Sequence, residues 1–211
     1  MKNLCSEVGD CHIQWKTNKK SYTFAASLIM LVILCSGALS ACSSAEGLLP
    51  SSLYFLNGPS DNSQIWRIDA DGITLIQLTA EPGGITAFAV SPTDGYLAYV
   101  SGNRLYLTNE EGQNPELIAD SSTVDPKIED YIFHAGIGNL VFSPDGKVLA
   151  YAFDGLHLFT LTSGKDEHVL KNLGNLLGET YVYAREAYFP VNWSPDGSQL
   201  LFAMSYYEGA T

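Results

Sequence analysis

Beyond position 42 the chain contains no cysteine: Cys5, Cys11, Cys35 and Cys42 all sit near the amino end. The remainder therefore cannot be held by disulfides and offers neither a thiol nucleophile nor a thiolate metal ligand. Basic residues are scarce as well. Four of the 11 Lys+Arg (Lys2, Lys16, Lys19, Lys20) precede position 42, against two of the 23 Asp+Glu (Glu7, Asp10). Residues 42–211 are thus strongly acidic, with 7 basic and 21 acidic side chains and a net charge of −14. This excludes a nucleic-acid partner, whose phosphates need Lys and Arg to neutralise them, and a face lying flat on anionic lipid. Solubility alone accounts for the acidity. Also missing are a Gly-x-Ser-x-Gly elbow and a His-Glu-x-x-His pair, and His134, His157 and His168 are scattered along the chain. Asp69-Ala70-Asp71-Gly72 lacks the third acidic position and the closing Glu of a calcium loop, so it reads as a turn. Gly136-Ile137-Gly138 lacks the third glycine of a dinucleotide site and opens a strand. Asn192-Trp193-Ser194 matches a glycan acceptor in form, but lies inside a strand and precedes Pro195. The expectation is no catalytic residues, no metal, no cofactor and no enzymatic activity.

One long apolar run is present, from Phe24 to Leu34, preceded by Lys16, Lys19 and Lys20 and followed by Leu39-Ser40-Ala41-Cys42. A basic start, a short apolar stretch and small residues before a cut describe an export signal. Ending in cysteine, this one resembles the lipobox of bacterial lipoproteins. The resemblance implies a signal peptide over 1–41, acylation of Cys42, and a short tether over 42–52 rich in serine. The alternative is an uncleaved anchor from Tyr22 to Ala41, which has the roughly 20 residues a bilayer span needs. Both readings leave the rest of the chain at the cell membrane on the extracytoplasmic side; in the lipoprotein reading the membrane partner is reached through a lipid on Cys42.

The longer part carries an internal repeat. Ser143-Pro144-Asp145-Gly146 returns 51 positions later as Ser194-Pro195-Asp196-Gly197, and Ser91-Pro92-Thr93-Asp94-Gly95 precedes it by 52 with one extra residue. Each is followed by a similar strand: Leu97-Ala98-Tyr99-Val100, Leu149-Ala150-Tyr151-Ala152 and Leu200-Leu201-Phe202-Ala203. Serine suits the first position of a tight turn, proline pre-sets φ at the second, and glycine accepts the positive φ on exit. The flanking runs are β-prone and too short for helices, so each unit starts as a hairpin. Two further strands follow in each copy, and four short antiparallel strands with a period near fifty make a propeller blade.

Strand, Ser-Pro-Asp-Gly, Leu-Ala-Tyr strand and a strand ending in an Asp-Gly-type turn together resemble the TolB-type propeller repeat, a relative of the WD repeats. The resemblance covers residues 53 to about 204 and implies an all-β fold: a β-propeller of four-stranded antiparallel blades. Blades are expected over 53–79, 85–119, 137–171 and 188–211. Leu53–Leu56 aligns with the second strand of a blade, so the first blade has three strands and the last has two. Thirteen strands, about three and a quarter blades, make an incomplete ring, as expected of the front portion of a longer propeller.

Two links between blades are long: Asp120 to Gly136, with Tyr131, Phe133 and His134, and Asn172 to Tyr188, with Tyr181, Tyr183 and Arg185. Long loops on a rigid scaffold concentrate binding residues, and Tyr and Arg suit recognition. Tyr131, His134, Tyr181, Tyr183 and Arg185 are therefore candidate binding-face residues, unless they simply pack over the blades they connect. The TolB family binds envelope proteins but is soluble and carries a further domain, from which this chain departs. The function implied is a protein-interaction or ligand-binding module of the cell envelope, with an envelope protein or a small ligand as partner. The alternatives are the propeller gate of a longer dipeptidyl-peptidase-like serine hydrolase and a small-ligand sensor.

Overall fold

The computed structural model describes residues 47–127, 131–173 and 182–210. The expected signal peptide and Cys42 lie outside the described residues, as does Tyr181. Thirteen strands occur among the described residues, in four antiparallel sheets. The first sheet is β1 (Leu53–Asn57), β2 (Gln64–Ile68) and β3 (Leu75–Gln77). The second is β4 (Ala87–Val90), β5 (Leu97–Ser101), β6 (Arg104–Thr108) and β7 (Glu116–Asp120). The third is β8 (Ile137–Phe142), β9 (Val148–Phe153), β10 (Gly155–Thr160) and β11 (Lys165–Lys171). The last pairs β12 (Val182–Trp193) with β13 (Leu200–Ala210). Strands in each sheet follow chain order, so the molecule is a partial β-propeller of meander blades.

The period-2 pleat of β5 divides its side chains between two neighbours. Leu97 and Tyr99 pack with Ile65, Leu78 and Ile85 toward the first sheet. Ala98 and Val100 pack with Phe142, Leu149 and Tyr151 toward the third. Every residue of β5 is buried, and Leu149, Ala150 and Tyr151 of β9 are fully buried in the same way. Burial of a leucine of this kind stabilises by roughly 2–3 kcal/mol. The equivalent segments of the outer sheets face solvent: Leu53 is 48% exposed and Leu201 63%. Blades therefore pack face to face in chain order, and the inner two are sandwiched.

The repeated turns are built atom for atom alike. Ser143 Oγ donates to Asp145 Oδ1 at 2.7 Å and accepts from Val148 N at 3.0 Å. Ser194 Oγ donates to Asp196 Oδ1 at 2.6 Å and accepts from Gln199 N at 2.9 Å. Each glycine N–H closes the turn onto the serine carbonyl at 2.9 Å, with φ of 70° at both Gly146 and Gly197. The turns also ride on one another. A Cβ on Gly146 would lie 2.1 Å from Thr93 Oγ1 and 2.7 Å from Ser91 Oγ of the preceding blade. Asp69–Gly72 is a turn as expected: Asp71 Oδ1 accepts from Ile73 N and Thr74 N, both at 2.8 Å.

The last blade departs from expectation. Its hairpin begins at Val182 rather than near residue 188, and the second strand continues to Ala210 instead of stopping near Ala203. No glycine or proline interrupts 181–189, so nothing ends the strand, and the cross-strand pairs from Val182↔Ala210 to Phe189↔Ala203 form. Pro190, which lacks an N–H for the ladder, stands at the bulge that turns Val191 out to solvent.

Two predictions follow from the turns. Gly146→Ala should destabilise by at least about 2 kcal/mol, because strain at positive φ is added to a clash. Gly164→Ala, with φ of 64° and open space around it, should cost about 1 kcal/mol. Equal urea midpoints for the two would show that adjacent turns do not stack. Separately, the Ser194 hydroxyl, with the Ser198 amide and hydroxyl, holds the Asp196 carboxyl down at about 2 against an ordinary 3.8. Its folded value lies below the unfolded one, so its stabilisation is complete above pH 3.8 and vanishes as pH falls through about 2. Carboxyl NMR should place the Asp196 midpoint near 2, and Ser194→Ala should move it back toward 3.8; an unmoved midpoint would rule out the hydroxyl as cause.

Candidate functional site

The two long links and the start of β12 meet at one corner, between the third and last sheets. The first link is not a bare loop. It carries a 3-10 turn at Ser121–Thr123, capped by Asp120 Oδ1 on Ser122 N at 2.8 Å, and a one-turn helix, α1 (Tyr131–Ala135). His134 of α1 lies 2.5 Å through Nδ1 from Asp154 Oδ1. Asp154 occupies the β9–β10 turn with φ of 51°, a conformation that aspartate accepts better than most residues. Its carbonyl accepts from Asn172 N at 2.9 Å and lies 3.0 Å from His168 Nε2. Its second carboxylate oxygen lies 3.8 Å from Lys171 Nζ. Asp154 thus joins both links to the turn between them.

Asn172 completes the join. Its Nδ2 donates to Phe133 O at 3.4 Å and its Oδ1 accepts from Tyr188 N at 2.9 Å, tying the first link to β12. Arg185 places its guanidinium carbon 5.7 Å from the Phe133 ring centroid, a cation–π distance. The Tyr188 hydroxyl donates to Glu186, which pushes that phenol above its ordinary value.

Of the sequence candidates, His134 and Arg185 are brought to this corner, joined through Phe133. Arg185 and Tyr183 lie on a strand, not in a loop: both belong to β12, where Arg185 pairs with Tyr207 and Tyr183 with Gly209. Tyr131 opens α1. Cys42 and Tyr181 lie outside the described residues. Asp154 and Asn172 escaped the sequence reading because each looks like an ordinary turn residue; a non-glycine at a hairpin turn just ahead of Gly155 was the available signal.

Two of the histidines scattered in sequence meet in the third blade. His157 and His168 are cross-strand partners with ring centroids 4.1 Å apart. His157 Nδ1 lies 2.9 Å from Asp166 Oδ2, which also accepts from the Tyr151 hydroxyl at 2.9 Å. Burial, followed by the Asp166 charge, pushes the Tyr151 phenol up. Among the described residues no cluster of His, Cys, Asp and Glu is arranged to hold a metal ion.

A cavity of about 260 Å³ opens at the corner. Phe133, Phe153, Tyr188 and Phe189 line it, with Gly138 and Asn139 of β8. There β8 bulges: Gly138 pairs with Ala152 and Val141 with Ala150, so two residues oppose Tyr151 alone. Asn139 takes φ of 51° to make the bulge.

No protein-family model matches the chain and no curated protein matches it. Among solved structures it is similar to the tricorn protease, at 12% identity and a TM-score of 0.45 over 75% of this chain and 16% of that one. It is also similar to a chain of the nidogen/laminin complex, at 10% identity and a TM-score of 0.49 over 76% of this chain and 55% of that one. TolB from Acinetobacter baumannii matches at 14% identity and a TM-score of 0.43, over 75% and 52%. The chain thus spans from 16% to 55% of the length of these structures. The fold rests on the blade register above rather than on these likenesses.

Asn172→Ala should leave the Phe133 carbonyl and Tyr188 amide unpaired, at a cost of about 1–3 kcal/mol. Hydrogen exchange at Tyr188 should accelerate far more than at Tyr99 in β5. Uniform acceleration at both positions would mean that Asn172 supports the whole fold and not the corner.

Proposed function

We propose that the protein is a lipid-anchored, extracytoplasmic β-propeller that serves the cell envelope as a protein-interaction module without enzymatic activity. The observation that carries the binding role is the corner between the third and last blades. Two links and a strand are pinned there beside a cavity whose lining includes Phe133, Asp154, Asn172 and Phe189. Asp154, His134 and Asn172 are engaged with one another and with the scaffold, so they serve to hold the corner together. A pinned corner carrying an arginine over a phenylalanine ring suits recognition.

Attachment through Cys42 is supported by Leu39-Ser40-Ala41-Cys42 after the apolar run. No helix among the described residues is long and apolar enough to cross a membrane. The short polar stretch before β1 would keep the propeller near the bilayer.

The anchor and the binding role are tested separately. Cys42→Ala should abolish labelling by a fatty-acid tracer and leave the precursor uncut, because the thiol is the acylation site; labelling equal to wild type would end the lipoprotein reading. For binding, the detergent-solubilised full chain should retain a stoichiometric envelope partner that a Phe133→Ala, Arg185→Ala double variant loses. Recovery of no partner by the wild type would count decisively against an interaction module.

A further inference from the structure

We infer that the turn between β2 and β3, with Leu48 laid against it, dips into the surface of a neutral lipid bilayer as a second membrane contact beside the anchor. This rests on the membrane-attachment reading and adds which surface of the propeller faces the bilayer. Reach is the first ground. Five Cα-to-Cα steps separate Cys42 from Gly47, a span of at most about 18 Å when fully extended. From there the chain is fixed to the turn. Leu49 N donates to Ala70 O at 3.0 Å, and a Cβ on Gly72 would lie 3.0 Å from Leu48 Cβ. Attachment at Cys42 therefore keeps this turn within one short span of the headgroups.

The second ground is an isoleucine that the repeat does not need. Ile73 is 80% exposed and Leu48 77%, the highest values among the described large apolar side chains. Gly72, Gly112 and Gly164 close the equivalent outer turns of the first three sheets through their N–H groups. The residues that follow them are Ile73, Gln113 and Lys165. A polar residue therefore serves this turn in the second and third sheets, and the apolar one stands in the sheet that follows the anchor. Two adjoining aliphatic side chains gain by burying their area at the headgroup and acyl boundary, and they add a second signal to a covalent lipid.

Charge sets the kind of lipid. Arg67 pairs with Asp69 at 2.6 Å and cancels its charge. Asp71 keeps its own, its carboxylate accepting from the Ile73 amide and from the Thr74 amide and hydroxyl. One net negative charge thus sits beside the two apolar side chains, on a strongly acidic chain. That arrangement opposes anionic headgroups and tolerates zwitterionic ones.

The test uses the full chain with methyl-labelled isoleucine and leucine, in nanodiscs of phosphatidylcholine containing a doxyl-labelled lipid. The methyl NMR signals of Leu48 and Ile73 should broaden severalfold more than those of Leu117 and Leu201, which are exposed on other sheets. Ile73→Gln installs the residue that the second sheet carries at this place, so the thermal melt should be kept. Broadening at Leu48 and at half-exposed Leu75 should fall severalfold in that variant. Wild-type broadening at the turn no greater than at Leu117 and Leu201, or unchanged broadening in Ile73→Gln, overturns the contact. Replacing phosphatidylcholine by anionic phosphatidylglycerol should weaken the broadening; an increase overturns the assignment to neutral lipid. The acyl group on Cys42 is read separately, from the mass of the amino-terminal peptide. Contact at the turn without that group upholds this surface and ends the lipoprotein reading. The acyl group without contact at the turn overturns this surface and leaves that reading standing.

Discussion

The burial of β5 and β9 on both faces governs the architecture. A strand whose alternate side chains point into two different interfaces needs a sheet on each side, so no blade of this kind is stable alone. Leu97 and Tyr99 on one face and Ala98 and Val100 on the other belong to two separate apolar clusters. The repeat Leu-Ala-Tyr is the sequence form of that requirement: a large side chain toward one neighbour, a small one toward the other, and a tyrosine whose hydroxyl reaches the polar rim. Tyr99 there donates to Glu81 at 2.7 Å, and Tyr151 to Asp166.

Stacking also sets the register between blades, and the turns contribute to it. Gly146 sits against Ser91 and Thr93, and Gly197 near Pro144, so the Ser-Pro-Asp-Gly turn closes one hairpin and spaces it from the last. Blade contacts at this end are short-range and repetitive. At the opposite end the links differ in length from blade to blade, and there the asymmetry lies that a binding site needs. The corner formed by α1, the Asp154 turn and β12 has no equivalent between the first two blades, where a short link brings Glu81 to Gln64 and Tyr99.

Legibility in the sequence followed the range of the interaction. The thirteen strands, their order and their turns were readable, because a Ser-Pro-Asp-Gly turn is closed by hydrogen bonds spanning two to five residues. Even the three-stranded make-up of the first sheet among the described residues could be seen by aligning Leu53–Leu56 with Leu97–Val100. The candidate site was half readable. His134, Phe133 and Arg185 stood out by residue type and loop length, whereas Asp154, Asn172 and Asn139 did not. Their roles arise from partners 20, 39 and 16 positions away and from a bulge that pattern alone does not reveal.

By itself, then, the sequence determined the blade: its strands, its turn chemistry and the pattern that demands a neighbour on each side, all consequences of local backbone preference and period-2 alternation. The tertiary structure decided what meets at the ends of the blades. It extended β12 back to Val182, because β13 offered a partner through Ala210 and nothing between them broke the ladder. It gathered His157 and His168 across one strand pair and set His134 against Asp154. It also brought Phe133 of α1 and Phe189 of β12 to the lining of one cavity beside Asp154. Those outcomes depend on the distance between sheets and on the path of the links over them, which no local preference encodes.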